Sequence, residues 1–265
     1  MKAKDISKLS YIEFMALIEE TNRAPGGKDS LRRISLNTFL NDKSKVLHIG
    51  CNTGSSTRQL VRFTRCQATG IDLSESMIKV ARKATKEEKL DKYVKFRVGD
   101  ARRLRFGSGS FDLVLSPGSI AFMDNKDLVF NEMLRILRYY GYFVDIPMYY
   151  VSPPPDKLIN QLNREMDTKI EKWNLEYWKK LYDHPHLELV YEFEGKLKVP
   201  SQFEIKLYTA KMVNDLNVSL GLKNAIRRRL TKTMILFSKN HKYLSYSILI
   251  YQKVYRREQI DLFGP

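Results

Sequence analysis

The chain has 265 residues, 43% hydrophobic and 29% charged, an ordinary composition for a globular protein with a sizeable core. No apolar run approaches the roughly 18 to 20 residues that span a bilayer, and the opening MKAKDISKLSYIEF lacks the apolar stretch of a secretory signal, so a cytoplasmic protein is expected. Lys and Arg exceed Asp and Glu by 16, and the stretch from Lys196 onward, with 14 basic and 4 acidic residues, holds +10 of that excess; an acidic partner (nucleic acid, anionic lipid, a phosphorylated metabolite) and a plain solvated basic surface both fit.

Residues 10 to 22 predict a helix, with Ser10 as N-cap and Glu13 completing a capping box. Pro25-Gly26-Gly27 breaks it, either as a hinged lid or as an inert turn, and a second helix follows over about 28 to 41. Lys45 to Ile49 is a short apolar run that enters Gly50-Cys51-Asn52-Thr53-Gly54 and then a helical pattern, the signature of a buried parallel strand closed by a ligand-binding turn. A second strand over 67 to 72 ends at Asp72, Ser74 caps a long helix, and a third strand over 93 to 98 runs into Gly99-Asp100. A fourth strand over 111 to 115 stops at Ser116-Pro117-Gly118. Residues 126 to 139 predict a helix capped by Gly141, and 142 to 146 a fifth strand. After Pro147 come helices at about 156 to 171, 173 to 182 and 222 to 238, with late strands at 187 to 193 and 243 to 251. The expected fold is α/β, a Rossmann-like doubly wound sheet that is mostly parallel with an antiparallel late strand, plus N-terminal helices and a helical insert. Its expected parts are an N-terminal helical lid (1–44), a nucleotide-type core (45–147), and insertions with closing strands of the same domain (148–265).

The two cysteines, Cys51 and Cys66, form no CxxC pair, and the four histidines are too scattered to suggest a metal site. A glycine turn followed about 20 residues later by an acid suits a ribose-containing cofactor. A dinucleotide fingerprint requires glycine where this chain has Asn52 and again where it has Ser55, and no Gly-Lys-Ser/Thr follows the turn to make a P-loop.

VLHIGCNTGSST resembles motif I of the class I S-adenosylmethionine-dependent methyltransferases, of the small-molecule type, and TGIDLSESMI resembles motif II. VGDARRLRFGSGSFDLVLS and NEMLRILRYYGYFVDI resemble the segments that follow, so that residues 28 to 147 carry the likeness in four ordered pieces; NHKYLSYSILIYQK is similar to the closing strands. The resemblance implies S-adenosylmethionine as cofactor. His48, Gly50, Cys51, Asn52 and Gly54 would then border its methionine part, and Asp72 would hold the ribose diol. Met77 would pack on the adenine face, Asp100 would accept from the adenine amino group and Ala101 N–H would reach a ring nitrogen, with Leu73 and Gly99 also among the cofactor-binding residues. Ser116 and Pro117 would lie beside the methyl group. His48 stands where the family usually has Asp or Glu, and Asn52 where it has glycine.

The acceptor pocket implied by the family draws on the N-terminal helices, the loop after the fourth strand and the insert, which here offer Tyr11, Asn22, Arg23, Ser119, Tyr149 and Tyr150, with Phe14, Phe122, Trp173 and Trp178 nearby in sequence. His184 is the candidate base. No Asn/Asp-Pro-Pro-Tyr/Phe follows the fourth strand, which disfavours methylation of base or amide nitrogens. Three functions remain open: methylation of a small molecule at O or N, RNA methylation using the basic C-terminal quarter, and cofactor binding without turnover.

Overall fold

The first strand sets the layers. Along Lys45–Ile49, here β1, side chains alternate between the two faces of the sheet. Val46 joins a core beneath one set of helices, while Leu47 and Ile49 join a second core on the opposite face. The computed structural model describes residues 3–21 and 24–255.

Around β1, the strands β2 (Gln67–Asp72), β3 (Val94–Val98), β4 (Phe111–Ser116) and β5 (Leu137–Asp145) run parallel to it. With β6 (Met148–Tyr150), β7 (Leu187–Lys196) and β8 (Leu244–Lys253) they make one eight-stranded sheet ordered β3-β2-β1-β4-β5-β8-β6, with β7 on the other side of β8. All three strands that touch β8 pair with it antiparallel, so β8 is the one reversed strand. Helices α2 (Gly27–Asn37), α3 (Ser55–Thr64) and α4 (Glu75–Glu87) cover the first face through Leu31, Ile34, Leu60, Val61, Ile78 and Ala81. Helices α5 (Lys126–Ile136) and α7 (Leu175–Leu181) cover the other, where Phe130, Trp178 and Tyr182 pack around Phe143.

A third cluster forms beside this sandwich. Helix α1 (Tyr11–Leu17) begins at the Ser10–Glu13 capping box, as its sequence predicts, and stops at Leu17. A 3₁₀ segment, Ala3–Lys8, precedes it. Phe14, Met15 and Ile18 bury against α8 (Gln202–Asn214), α9 (Leu220–His241) and Met77 of α4. Helix α6 (Asp156–Met166) packs on α9 through Leu158, Ile159 and Leu162. Neither α8 nor the short strand β6 is foreseen in the sequence.

Residues 137–139 differ in type from the sequence expectation. The periodic run NEMLRILRYY reads as helix to Tyr139, yet the helix ends at Ile136 and Leu137 is already extended. Pairing with the neighbouring strand overrides local propensity: Phe111 faces Leu137, Leu113 faces Tyr142, and β5 bulges between them, with Tyr140 left-handed at φ 61°. Gly141 is therefore no helix cap but a strand residue at a close approach. A Cβ there would lie 2.8 Å from the Asp112 carbonyl oxygen and 3.0 Å from that of Arg138. Gly141→Ala is expected to cost about 1–3 kcal/mol, read as a fall of several degrees in Tm.

Candidate functional site

Parallel pairing brings the C-terminal ends of β1, β2 and β4 together, with Ile49 beside Ile71 and His48 beside Leu115. Past Ile49 the chain turns through three left-handed residues, Gly50 (φ 66°), Asn52 (φ 50°) and Gly54 (φ 74°). Asparagine enters that region more readily than most side chains, which is why Asn52 is accepted at the middle position. The turn is held by Cys51 N donating to the Ile71 carbonyl at 2.9 Å and Gly54 N donating to that of Cys51 at 2.8 Å. Gly50 has no space for a side chain, since a Cβ would stand 2.5 Å from Cβ of Ser119. Gly54 and Gly70 are closed by one ring: a Cβ on either would meet Phe96 at 2.3 Å and 2.4 Å. Phe96, on β3, thus braces the turn. Its only sequence signal is its place on the inward face of an alternating strand.

Asp72 joins two loops. Its Oδ2 accepts from Asn52 N and its Oδ1 from Ser74 N, both at 2.9 Å. Each oxygen keeps further acceptor capacity. Beside it, Leu73 is 67% exposed and Val98, paired with Asp72 in register, is 51% exposed. Two large apolar side chains are thus left open at adjoining strand tips. Gly99 N donates to the Asp72 carbonyl, and Ala101 is buried. Asp100 is differently placed: both of its oxygens accept from Arg102, whose Nη2 lies 2.7 Å from Oδ2, and these bonds hold the carboxyl below the usual range. Met77 does not reach this surface. It is 3% exposed and belongs to the cluster around Phe14 and Ile226, so it is not placed to pack on a ligand ring at these strand tips.

At the tip of β4, the hydroxyls of Ser116 and Ser119 are 2.6 Å apart, and Ser119 also donates to the Ile49 carbonyl at 2.9 Å. Pro117 is half-buried next to them. Gly118 N donates at 2.9 Å to Asp145 Oδ1, which also accepts from Ile146 N at 2.8 Å; the Tyr182 hydroxyl donates to Oδ2 at 2.6 Å. Asp145, in register with Ser116, is fully buried, and burial lifts its carboxyl to about 6 against these three donors. Nothing in YFVDI marks Asp145 as special, because an acid within a strand pattern shows no depth.

His48 points into the first core. Its Nδ1 lies 2.7 Å from Thr57 Oγ1 of α3, and burial brings its pKa down to about 3. The ring is neutral at physiological pH, so ligand binding at the turn is expected to show no histidine inflection between about pH 5 and 8. A depressed histidine pKa gives stability that is complete above 6.5 and lost as the pH falls toward 3. His48→Asn should therefore lose less stability than wild type on acidification to about pH 4, by about 3 kcal/mol, in denaturant titrations at the two pH values.

The remaining candidates divide. His184 lies before β7, whose first residue pairs with Lys253 at the end of β8. That is the edge of the sheet opposite the glycine turn, and His184 accepts there from His186 N at 3.1 Å. It is not a base for this site. Tyr149 is buried, its hydroxyl donating to Glu194 Oε2 at 3.2 Å, and Trp178 is likewise core. Tyr150 is half-buried and donates to Asn240 Oδ1 at 3.2 Å. Tyr11 sits in the cap, where burial and the charges of Glu20 and Glu165 push its hydroxyl pKa up. Asn22 and Arg23 lie outside the described residues. The segments flanking them are tied to the glycine turn: Thr53 Oγ1 donates to the Glu20 carbonyl at 2.7 Å and Ala24 N to Ser56 Oγ at 3.2 Å. Gly26 is closely packed: a Cβ there would fall 2.2 Å from Ser30 Oγ and 2.4 Å from the Tyr246 hydroxyl.

The family described as "Methyltransferase domain" matches residues 47–145, the span from β1 through β5 that builds this site. Over this span the chain is similar to the class I S-adenosylmethionine-dependent methyltransferases. Methyltransferase GfsG of Streptomyces halstedii is 35% identical over 94 residues, 36% of this chain and 34% of the relative. Norajmaline N-methyltransferase of Rauvolfia serpentina is 35% identical over 91 residues, 34% of this chain and 31% of the relative. The chain thus matches about a third of the length of each of these two. The crystal structure of MccD protein is 28% identical, with a TM-score of 0.74 over 88% of this chain and 100% of that one.

The methyltransferase site fits the family's cofactor, S-adenosylmethionine. It offers a turn with no side chain at Gly50, a carboxylate with spare acceptor capacity for a diol, and open apolar residues at the β2 and β3 tips for a flat base. No lysine or arginine stands in the turn itself, in keeping with a nucleoside that carries no phosphate.

Proposed function

We propose that the protein methylates a small-molecule acceptor at oxygen or nitrogen, at the C-terminal edge of β1 and β4. The observation that carries the reading is the meeting of Gly50, Asp72 and the Ser116–Ser119 pair at one edge, beneath a segment tied to Thr53 and Ser56. Bound S-adenosylmethionine supplies a methyl group activated by its sulfonium. In this reading Asp72 accepts from the ribose hydroxyls, Leu73 and Val98 cover the adenine faces, and Gly50 lets the main chain come close to the amino-acid end. Asp100 contacts the adenine edge while sharing its charge with Arg102.

At the β4 tip, Ser116, Pro117 and Ser119 form the floor on which the acceptor atom is placed. Positioning of a preformed nucleophile supplies much of the rate in such a displacement. Asp145 is fully buried and already accepts three hydrogen bonds, so its role is to fix Gly118 and the floor rather than to take the acceptor's proton. The N-terminal helices and the segment beyond β5 form the cover that keeps water out. His48 is buried and neutral against Thr57 within the core, so its change from a carboxylate does not count against turnover. The relatives' printed names, Norajmaline N-methyltransferase among them, support a small acceptor.

Incubating the protein with methyl-labelled S-adenosylmethionine and a cell extract divided into small-molecule and RNA fractions tests this. Label is expected in the small-molecule fraction. Label confined to RNA, or none in either fraction despite measurable cofactor binding, would overturn it.

A further inference from the structure

Helix α9 lies between α6 and α8, and the three enclose a groove of about 1070 Å³. Six cations line it: Arg164 from α6, Lys206 from α8, and Arg227, Arg228, Lys232 and Lys239 from α9. Among the described residues none of the six is paired with a carboxylate, although elsewhere on the protein arginines and lysines form close ion pairs, such as Arg135 with Glu132 at 2.6 Å. The one acid in the wall, Glu165, is already engaged. It accepts from Thr233 Oγ1 at 2.6 Å and faces Arg229 Nε at 3.8 Å. A second hollow of about 580 Å³ continues from Arg164 across Lys157, Asn160 and Asn163.

The shape and spacing discriminate among acidic ligands. From Arg227 to Lys239 the cations extend roughly 18 Å along the helix at 1.5 Å per residue, well beyond the reach of one phosphate or diphosphate. The surface is concave, so a flat bilayer would meet only its rims. On α8 Phe203 is 74% exposed, a helical turn from Lys206 of the groove wall, which leaves an open aromatic face near a cation. A run of cations with an adjacent open ring is the chemistry that binds a single nucleic-acid strand, by its phosphates and by stacking of a base.

We infer that the α6–α8–α9 groove binds a single strand of nucleic acid, RNA or DNA. This goes beyond the methyl-transfer reading and does not require the strand to carry the acceptor atom.

The test uses the full chain and fluorescence anisotropy with labelled oligouridylate and oligothymidylate about 20 nucleotides long. Binding is expected to fall with salt, with log K against log[salt] having a slope near −4 if about six phosphates are neutralised. Arg228→Glu/Lys232→Glu should weaken binding at least about tenfold and flatten the slope by at least about 1.4, while Lys43→Glu/Lys92→Glu, the same charge change at exposed sites elsewhere, should leave most of the binding. RNA and DNA arms that differ identify the natural strand. Equal losses in both double variants, a slope near zero, displacement of the strand by an equal concentration of inorganic triphosphate, or capture by phosphatidylserine vesicles without strand binding would each overturn the inference. Calorimetry with S-adenosylmethionine on the same variants keeps the two readings apart: retained cofactor binding shows an intact fold and leaves the methyltransferase reading standing if the groove fails.

Discussion

Asp72→Ala is expected to weaken S-adenosylmethionine binding about 100-fold, equivalent to about 3 kcal/mol, when titrated by calorimetry. Two losses combine. The substitution removes the acceptor for the ribose hydroxyls, and it leaves Asn52 N and Ser74 N, each 2.9 Å from a carboxylate oxygen, without their partner. The second loss loosens the left-handed turn at Asn52, whose φ of 50° needs support. Asp72→Asn separates them, because the amide oxygen can keep one backbone bond while the charge is gone. Its affinity should lie between wild type and alanine. Unchanged binding in both variants would remove the turn from the cofactor site.

The largest effect on stability is expected at Asp145. Asp145→Ala strands three buried donors, Gly118 N, Ile146 N and the Tyr182 hydroxyl, and should cost about 3–5 kcal/mol in denaturant unfolding. Asp145→Asn should not. Its oxygen can take both backbone N–H groups and its NH₂ can donate to the Tyr182 oxygen, which reverses that one bond. A carboxyl raised from 3.8 to about 6 on folding binds its proton more tightly in the native state, so stability is greatest below 3.8 and falls as the pH climbs through 6. At neutral pH the asparagine variant is therefore expected to match or exceed wild type, an advantage that shrinks by about 3 kcal/mol on acidification to about pH 4. His48 has the opposite sign over nearly the same range, so each pH profile is best measured against its own isosteric variant.

Much of the sheet was readable because each inner strand is a short apolar run ending in turn chemistry. KVLHI before Gly50, QATGID ending at Asp72 and FDLVLS before Pro117 each fall within a residue of the observed strand. The cofactor loops follow from that, since the acid and the glycines sit at strand ends. What stayed hidden depended on tertiary pairing. Nothing local in NEMLRILRYY tells a fourth helical turn from a bulged strand entry; only Phe111 opposite Leu137 decides it. Helix α8 keeps Phe203 and Leu207 outward and so lacks a clean apolar stripe, which concealed it. His184 looked usable because a loop histidine has no side in a sequence, whereas the direction of β7 places it at the far edge. Asp145 shows the converse: depth turns an unremarked acid into the anchor of the β4 loop.

The bond from Thr53 to the Glu20 carbonyl has a kinetic meaning. Glu20 also accepts from the Tyr208 hydroxyl of α8, so one residue touches the glycine turn and the insert together. Whatever settles the turn also restrains the covering helices, and a second ligand arriving afterwards meets a roof whose freedom has already been spent. The expected sequence is compulsory order, nucleoside first and acceptor second, with product inhibition patterns to match.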